Sequence, residues 1–220
     1  METSATVKPV LHYLAREPKV KTENPPLFIL LHGAGSNEHD LFSFAGMMPE
    51  NFLVISARGP INYGPSKYSW YSVNFSTGKP VINQKQELES RKIILQFINE
   101  LKALHRFDEK KIFLGGFSQG AIMSYSVGLA HPEIVHGIVA MGGRILEEVK
   151  PFVAKSAQST KPHVFIAHGV NDNVLYVDYA RVARVFLKTH GIDAAHHEYE
   201  LGHSVNSEMM NDLADWLLKN

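Results

Sequence analysis

The feature that most constrains this chain is the run Lys111-Ile112-Phe113-Leu114-Gly115-Gly116-Phe117-Ser118-Gln119-Gly120-Ala121. An apolar segment ends in two glycines, a serine stands two residues on, and a segment of small and apolar residues begins at once. Gly116-Phe117-Ser118-Gln119-Gly120 fits the pattern G-x-S-x-G, a serine on a sharp turn between a strand and a helix. The glycines have a physical reason, because such a turn holds the serine in a strained backbone conformation and lets strand and helix pass closely only where side chains are absent. The serine oxygen then stands clear of the sheet, with the N–H of Gln119 aimed at the same space from the helix N-terminus. An ordinary strand-to-helix turn satisfies the same pattern. The distinction therefore rests on which other groups reach that space.

The flanking sequence predicts a doubly covered, mostly parallel sheet. Continuous apolar runs at residues 27–31, 52–56, 112–114, 135–141 and 163–167, with a last strand at 194–200, read as strands of such a sheet. Between them lie expected helices at 38–47, 86–106 and 121–130, a helix whose stripe is Val182, Val185, Phe186 and Thr189, and a terminal helix facing inward through Val205, Met209, Leu213, Trp216 and Leu217. His190-Gly191 reads as a helix stop. Residues 7–15 are an expected edge strand, and 144–160 is ambiguous, broken by Pro151. Alternating strands and helices without repeat or linker give one α/β domain over 1–220, helices on both faces. The long irregular segment 57–81 holds Tyr63, Tyr68, Trp70, Tyr71 and Phe75. Long loops in compact domains are usually functional, so Trp70 and Tyr71 are assigned to substrate contact, against the plainer role of covering the sheet edge.

Composition narrows the function classes. Lys+Arg and Asp+Glu number 22 each, so no global field favours nucleic acid or anionic lipid. The absence of cysteine excludes disulfides, thiolate metal sites and a thiol nucleophile. The first residues carry no basic and apolar leader pattern, and no apolar run approaches the ~20 residues that span a bilayer. The expectation is a cytoplasmic protein with no integral membrane association and a small-molecule partner; oligomeric state is not legible.

In open α/β sheets, sites lie beyond the carboxyl ends of the strands. Three groups meet that condition: Ser118, Asp172 in His168-Gly169-Val170-Asn171-Asp172, and His203 in Gly202-His203-Ser204. A serine hydroxyl needs a base, an imidazole titrates near neutrality and can take and return the proton, and a carboxylate can hold that imidazole in the productive tautomer. The second donor for an oxyanion, beside Gln119, is expected from Ala34 in His32-Gly33-Ala34-Gly35. Each residue has a plainer role open to it. Asp172 could be a helix cap, with Asp178 and Asp193 as less well placed competitors, and most of the 12 histidines carry no motif. His32 is expected to pack beneath the turn. His196-His197 suggests a metal, yet H-E-x-x-H is missing and adjacent strand residues point to opposite faces, so none is expected.

With these residues in view, the chain resembles the phospholipase/carboxylesterase family of α/β-hydrolases, which includes acyl-protein thioesterases and small carboxylesterases. The resemblance runs from Leu27 to Trp216 and rests on Leu31-His32-Gly33-Ala34-Gly35, Gly116-Phe117-Ser118-Gln119-Gly120-Ala121, His168-Gly169-Val170-Asn171-Asp172-Asn173-Val174 and Gly202-His203. It implies an α/β-hydrolase fold, catalytic Ser118, Asp172 and His203, oxyanion donors Ala34 and Gln119, and ester or thioester hydrolysis through an acyl-enzyme without metal or organic cofactor. Two departures bear on substrate. Ser69-Trp70-Tyr71-Ser72 stands where thioesterase members carry Trp-Phe-Asp, and Gly35-Ser36-Asn37-Glu38 replaces a Gly-Asp stretch. The expectation is a serine carboxylesterase for small esters of little charge. The alternatives are a lysophospholipase or acyl-protein thioesterase, a dienelactone hydrolase (which usually uses cysteine), and a non-catalytic binding protein on the same fold.

Overall fold

A computed structural model describes residues 8–74, 76, 81–156 and 161–220, so that Val7, Phe75, Gly78-Lys79-Pro80 and residues 157–160 lie outside the described residues. In chain order come β1 (Tyr13–Arg16), β2 (Leu27–Leu31), α1 (His39–Phe42), a 3₁₀ turn at Ala45–Met47 and β3 (Leu53–Ala57). Two small hairpins follow, β4 (Ile61–Gly64) with β5 (Lys67–Ser69) and β6 (Val73–Asn74) with β7 (Val81–Ile82). Then come α2 (Gln84–Leu104), β8 (Ile112–Phe117), α3 (Gln119–Ala130), β9 (Gly137–Met141), α4 (Lys150–Ser156), β10 (His163–Gly169), α5 (Asp178–Thr189), β11 (Ala194–Tyr199) and α6 (Ser207–Lys219).

Seven strands form the main sheet in the order β1-β3-β2-β8-β9-β10-β11, parallel throughout except for β1, which runs antiparallel to β3. The apolar runs explain the layering. Along β2, Leu27, Ile29 and Leu31 join the core beneath α2, α3 and α5, while Phe28 and Leu30 join the core beneath α1 and α6. Strands buried on both faces need such continuous runs, and β2, β3 and β9 are buried at every position. The central helix α3 is buried from Gln119 to Leu129, as an all-round apolar helix must be.

Three expectations change. The helix expected at 38–47 breaks after Phe42, where the Ser43 hydroxyl turns back to donate to the Asp40 carbonyl at 2.6 Å and the chain tightens into the 3₁₀ turn. Among the described residues, the segment 57–81 pairs β4 with β5 and β6 with β7, and α2 starts at Gln84 under the cap of Asn83, whose side chain accepts from the Gln86 N–H. On α5 the face is largely reversed: Ala180, Ala183 and Leu187 are buried and Val182 and Val185 are 57% and 63% exposed, while Phe186 of the expected stripe does pack, partly buried, against the core. Small alanines let this helix approach the sheet, which a stripe of valines would hold off. Gly191 does stop the helix, at φ +69°.

The reversed face is testable by urea denaturation. Val182→Ser and Val185→Ser should each change stability by no more than about 0.5 kcal/mol, whereas Leu187→Ala should cost about 2–5 kcal/mol.

Candidate active site

The serine turn is built on a close approach. A side-chain carbon at Gly120 would lie 1.9 Å from the Leu31 carbonyl oxygen, and one at Gly116 would lie 2.4 Å from the same atom. Only bare backbone fits where α3 crosses the end of β2. Ser118 itself sits at φ 54° and ψ −115°, a conformation costly for a residue with a side chain, about 1–3 kcal/mol. Its N–H is held by the Met141 carbonyl at the end of β9, at 2.9 Å.

Three chain segments meet at this serine. His203, on the turn after β11, places Nε2 2.9 Å from Ser118 Oγ and Nδ1 2.7 Å from Asp172 Oδ2. The carboxylate accepts at Nδ1–H, so Nε2 is left to accept from the serine hydroxyl. Asp172 is buried on the turn after β10, and its Oδ1 accepts the N–H groups of Val174 at 2.8 Å and Leu175 at 2.9 Å. Burial works to raise its pKa, but the hydrogen bonds from His203, Leu175 and Val174 outweigh this and hold it below the usual carboxylate range. The buried His168 adds to this seat: its Nε2 donates to the Leu175 carbonyl at 2.6 Å and lies 3.3 Å from Asp172 Oδ2. Asp178 opens α5, where it pairs with Arg181, and Asp193 precedes β11; the carboxylate on His203 is that of Asp172.

Ala34 lies on the turn after β2 and Gln119 opens α3; both line one cavity with Ser118, and among the described residues neither backbone N–H has a hydrogen-bond partner. The Ala34 turn is fixed from below. His32 is fully buried, with Nε2 accepting the Gly59 N–H at 2.9 Å and Nδ1–H donating to the Gly33 carbonyl at 2.7 Å. Burial lowers its pKa, consistent with that neutral form. The Gly35 N–H donates to Tyr68 O and the Tyr68 N–H to Ser36 O, tying the turn to β5. Glu38, fully buried, receives the Arg58 guanidinium through both carboxylate oxygens, and Arg58 also covers the Tyr68 ring. The Arg58 hydrogen bond holds the Glu38 carboxyl down at about 2.

The two assigned aromatics separate. Tyr71 lines the cavity, but Trp70 does not. Trp70 is fully buried, its indole N–H donating to the His32 carbonyl at 3.0 Å, so it braces the Ala34 turn instead of meeting substrate. The Gln119 side chain explains how both are held: it accepts the Trp70 N–H at 2.8 Å and donates to the Tyr71 carbonyl at 2.7 Å. Sequence reasoning used only the Gln119 backbone. It also missed Val73, Ile82, Ile122, Arg144, Val174 and Leu175, which complete the lining of a cavity of about 190 Å³. Arg144 had a signal, since it follows β9 at its carboxyl end. His196 and His197 point apart, one near Glu198 and the other stacked on Phe165. Among the described residues no three His, Asp or Glu side chains are grouped to hold a metal ion.

A mostly parallel sheet with this strained serine between its central strand and the next helix is the α/β-hydrolase fold. Residues 17–220 match the phospholipase/carboxylesterase family model, and the chain belongs to that family of hydrolases. It is 30% identical over 173 residues to acyl-protein thioesterase 1 of Yarrowia lipolytica, covering 73% of this chain and 72% of that protein. It is 25% identical to carboxylesterase SOBER1 of Arabidopsis thaliana, over 86% of this chain and 89% of the relative. Among solved structures, esterase PE8 superposes with a TM-score of 0.83 at 23% identity, covering 95% of this chain and 98% of that one. The Bacillus cereus carboxylesterase does so with a TM-score of 0.78 at 20% identity, covering 96% and 94%. Among the described residues no helix is long and apolar enough to cross a membrane.

Two substitutions test the scaffold of the site. Gly120→Ala should prevent soluble folded expression, read by circular dichroism, because the displaced atom is backbone. Glu38→Gln tests the buried pair through pH. The folded carboxyl lies below its unfolded value of 4.5, so its contribution is complete above about 4.5 and is lost as pH falls toward about 2. The stability gap between wild type and Glu38→Gln should therefore narrow across that window in urea titrations.

Proposed function

We propose that this chain is a serine carboxylesterase for small carboxylic esters. The observation that carries the reading is the single imidazole of His203 spanning Ser118 Oγ and Asp172 Oδ2 at 2.9 and 2.7 Å. Ser118 Oγ attacks the ester carbonyl as its proton passes to His203 Nε2. Asp172 holds Nδ1–H and stabilises the imidazolium, itself kept ionised by the Val174 and Leu175 amides. The oxyanion is met by the Ala34 and Gln119 N–H groups, each such donor being worth about 3–4 kcal/mol in the transition state. Collapse expels the alcohol, protonated by His203, and leaves an acyl-serine. Water, deprotonated by the same imidazole, then releases the carboxylic acid.

Cavity size supports small acyl groups: about 190 Å³ falls below the ~300–1,000 Å³ of drug-sized pockets. The likeness to the Yarrowia lipolytica acyl-protein thioesterase 1 favours a thioesterase as the second reading. Rates across acyl lengths divide the two. With p-nitrophenyl esters, butyrate should be turned over at least about tenfold faster than palmitate, in kcat/KM, if the cavity limits the acyl group. A preference for palmitate would instead favour the thioesterase.

The nucleophile is tested directly. Wild type should be labelled at Ser118 by a fluorophosphonate, and Ser118→Ala should take no label and lose about 10⁴-fold or more in kcat with an unchanged circular dichroism spectrum. Absence of labelling in wild type would favour a non-catalytic binding protein.

A further inference from the structure

The turn after β9 brings a cation to the mouth of the site. Gly142, at φ +59°, turns the chain, and a side-chain carbon at Gly143 would lie 2.5 Å from Ala121 Cβ, so this turn presses against the first turn of α3. Arg144 follows, half-buried, and lines the same cavity as Ser118, Ala34 and Tyr71. Its guanidinium lies 5.6 Å from the centre of the Tyr179 ring. Among the described residues it makes no hydrogen bond or ion pair.

Glu147 and Glu148 border a neighbouring recess with Arg144, but among the described residues no carboxylate lies within ion-pair distance of it. Glu147 is paired with Lys150 at 2.6 Å, Glu148 accepts from Gln84, and buried Glu87 is paired with Arg91 at 2.9 Å. Tyr71, buried and lining the same cavity, has no hydrogen-bond partner for its hydroxyl among the described residues; burial raises its pKa, with the Arg144 charge acting against this and the Glu87 and Glu148 charges adding to it. The rest of the lining is largely aliphatic. A guanidinium drawn partly out of water into such a recess loses hydration without gaining a hydrogen-bond acceptor. A planar carboxylate would supply that partner in two parallel hydrogen bonds.

We propose that the preferred substrates are short esters carrying an anionic group, in the simplest case a carboxylate, which pairs with Arg144 while the ester carbonyl lies at Ser118. This rests on the esterase reading and departs from the sequence expectation of esters with little charge. The anion could sit on either side of the ester bond, and two substrate pairs separate these arrangements.

The test measures kcat/KM by proton release for monomethyl glutarate against methyl pentanoate, and for 3-acetoxypropanoate against propyl acetate. The expected result is a preference of about tenfold or more for the carboxylated member of one pair, carried by KM. That preference should shrink as NaCl rises from ~20 to ~500 mM, collapse in Arg144→Gln and survive in part in Arg144→Lys. Equal or reversed preference in both pairs, with the neutral esters still turned over, would overturn this inference and leave the esterase reading standing. Arg144→Gln lowering both members of a pair equally would also overturn it. Turnover of no ester, charged or neutral, would sink the esterase reading and this inference together. Should Arg144→Gln fail to fold, the salt series on wild type decides, and a preference indifferent to salt counts against the pairing.

Discussion

The structure depends on one contact between bare backbones, the crossing of α3 over the carbonyl end of β2. Leu31 O lies where side chains at Gly116 or Gly120 would have to be. That approach puts the turn after β2, which bears Ala34, beside the first turn of α3, which bears Gln119. It also fixes Ser118 between them in a conformation that the chain would not choose alone. The cost of the strained residue is offset by the burial of α3 on every side, so the helix cannot relax without opening the core.

Around this crossing, polar groups act as rivets. Gln119 binds the Trp70 and Tyr71 backbone, Trp70 binds the His32 carbonyl, and His32 binds Gly59. Glu38 and Arg58 join the far side of the Ala34 turn to the strand that precedes Gly59. The chain thus reaches back from α3 through the hairpin segment to the turn after β2. Low dielectric strengthens such a network and makes every broken member expensive. The surface recess of about 520 Å³ bordered by Glu17, Lys21 and Arg106 is larger than the serine cavity, but it has no comparable framework and lies by the amino ends of the strands.

Much of this was legible in the sequence because parallel strands announce themselves as continuous apolar runs and their carboxyl ends bound where a site can be. That reasoning reached Ser118, Asp172 and His203, which the structure brings within hydrogen-bond distance. What stayed hidden depends on distances between segments far apart in sequence. Counting large apolar residues on α5 selected the valines, whereas packing selected the alanines that permit close approach. Trp70 looked like a substrate contact because aromatic side chains in loops often are, yet its indole N–H found a buried carbonyl. The Glu38–Arg58 pair leaves no pattern at all. Arg144 satisfied the strand-end rule but belonged to no motif.

The seat of Asp172 divides labour within single residues. Val174 and Leu175 grip the carboxylate with their amides and face the cavity with their side chains. In the proposed mechanism Ala34 would likewise contribute only its backbone N–H, whereas the Gln119 side chain is committed to the Trp70 and Tyr71 backbone. A lineage could exchange the side chains of Val174 and Leu175, one by one, without retuning the acid that their amides hold. The grip on the acid is written in the main chain, and the lining of the cavity is left free to drift.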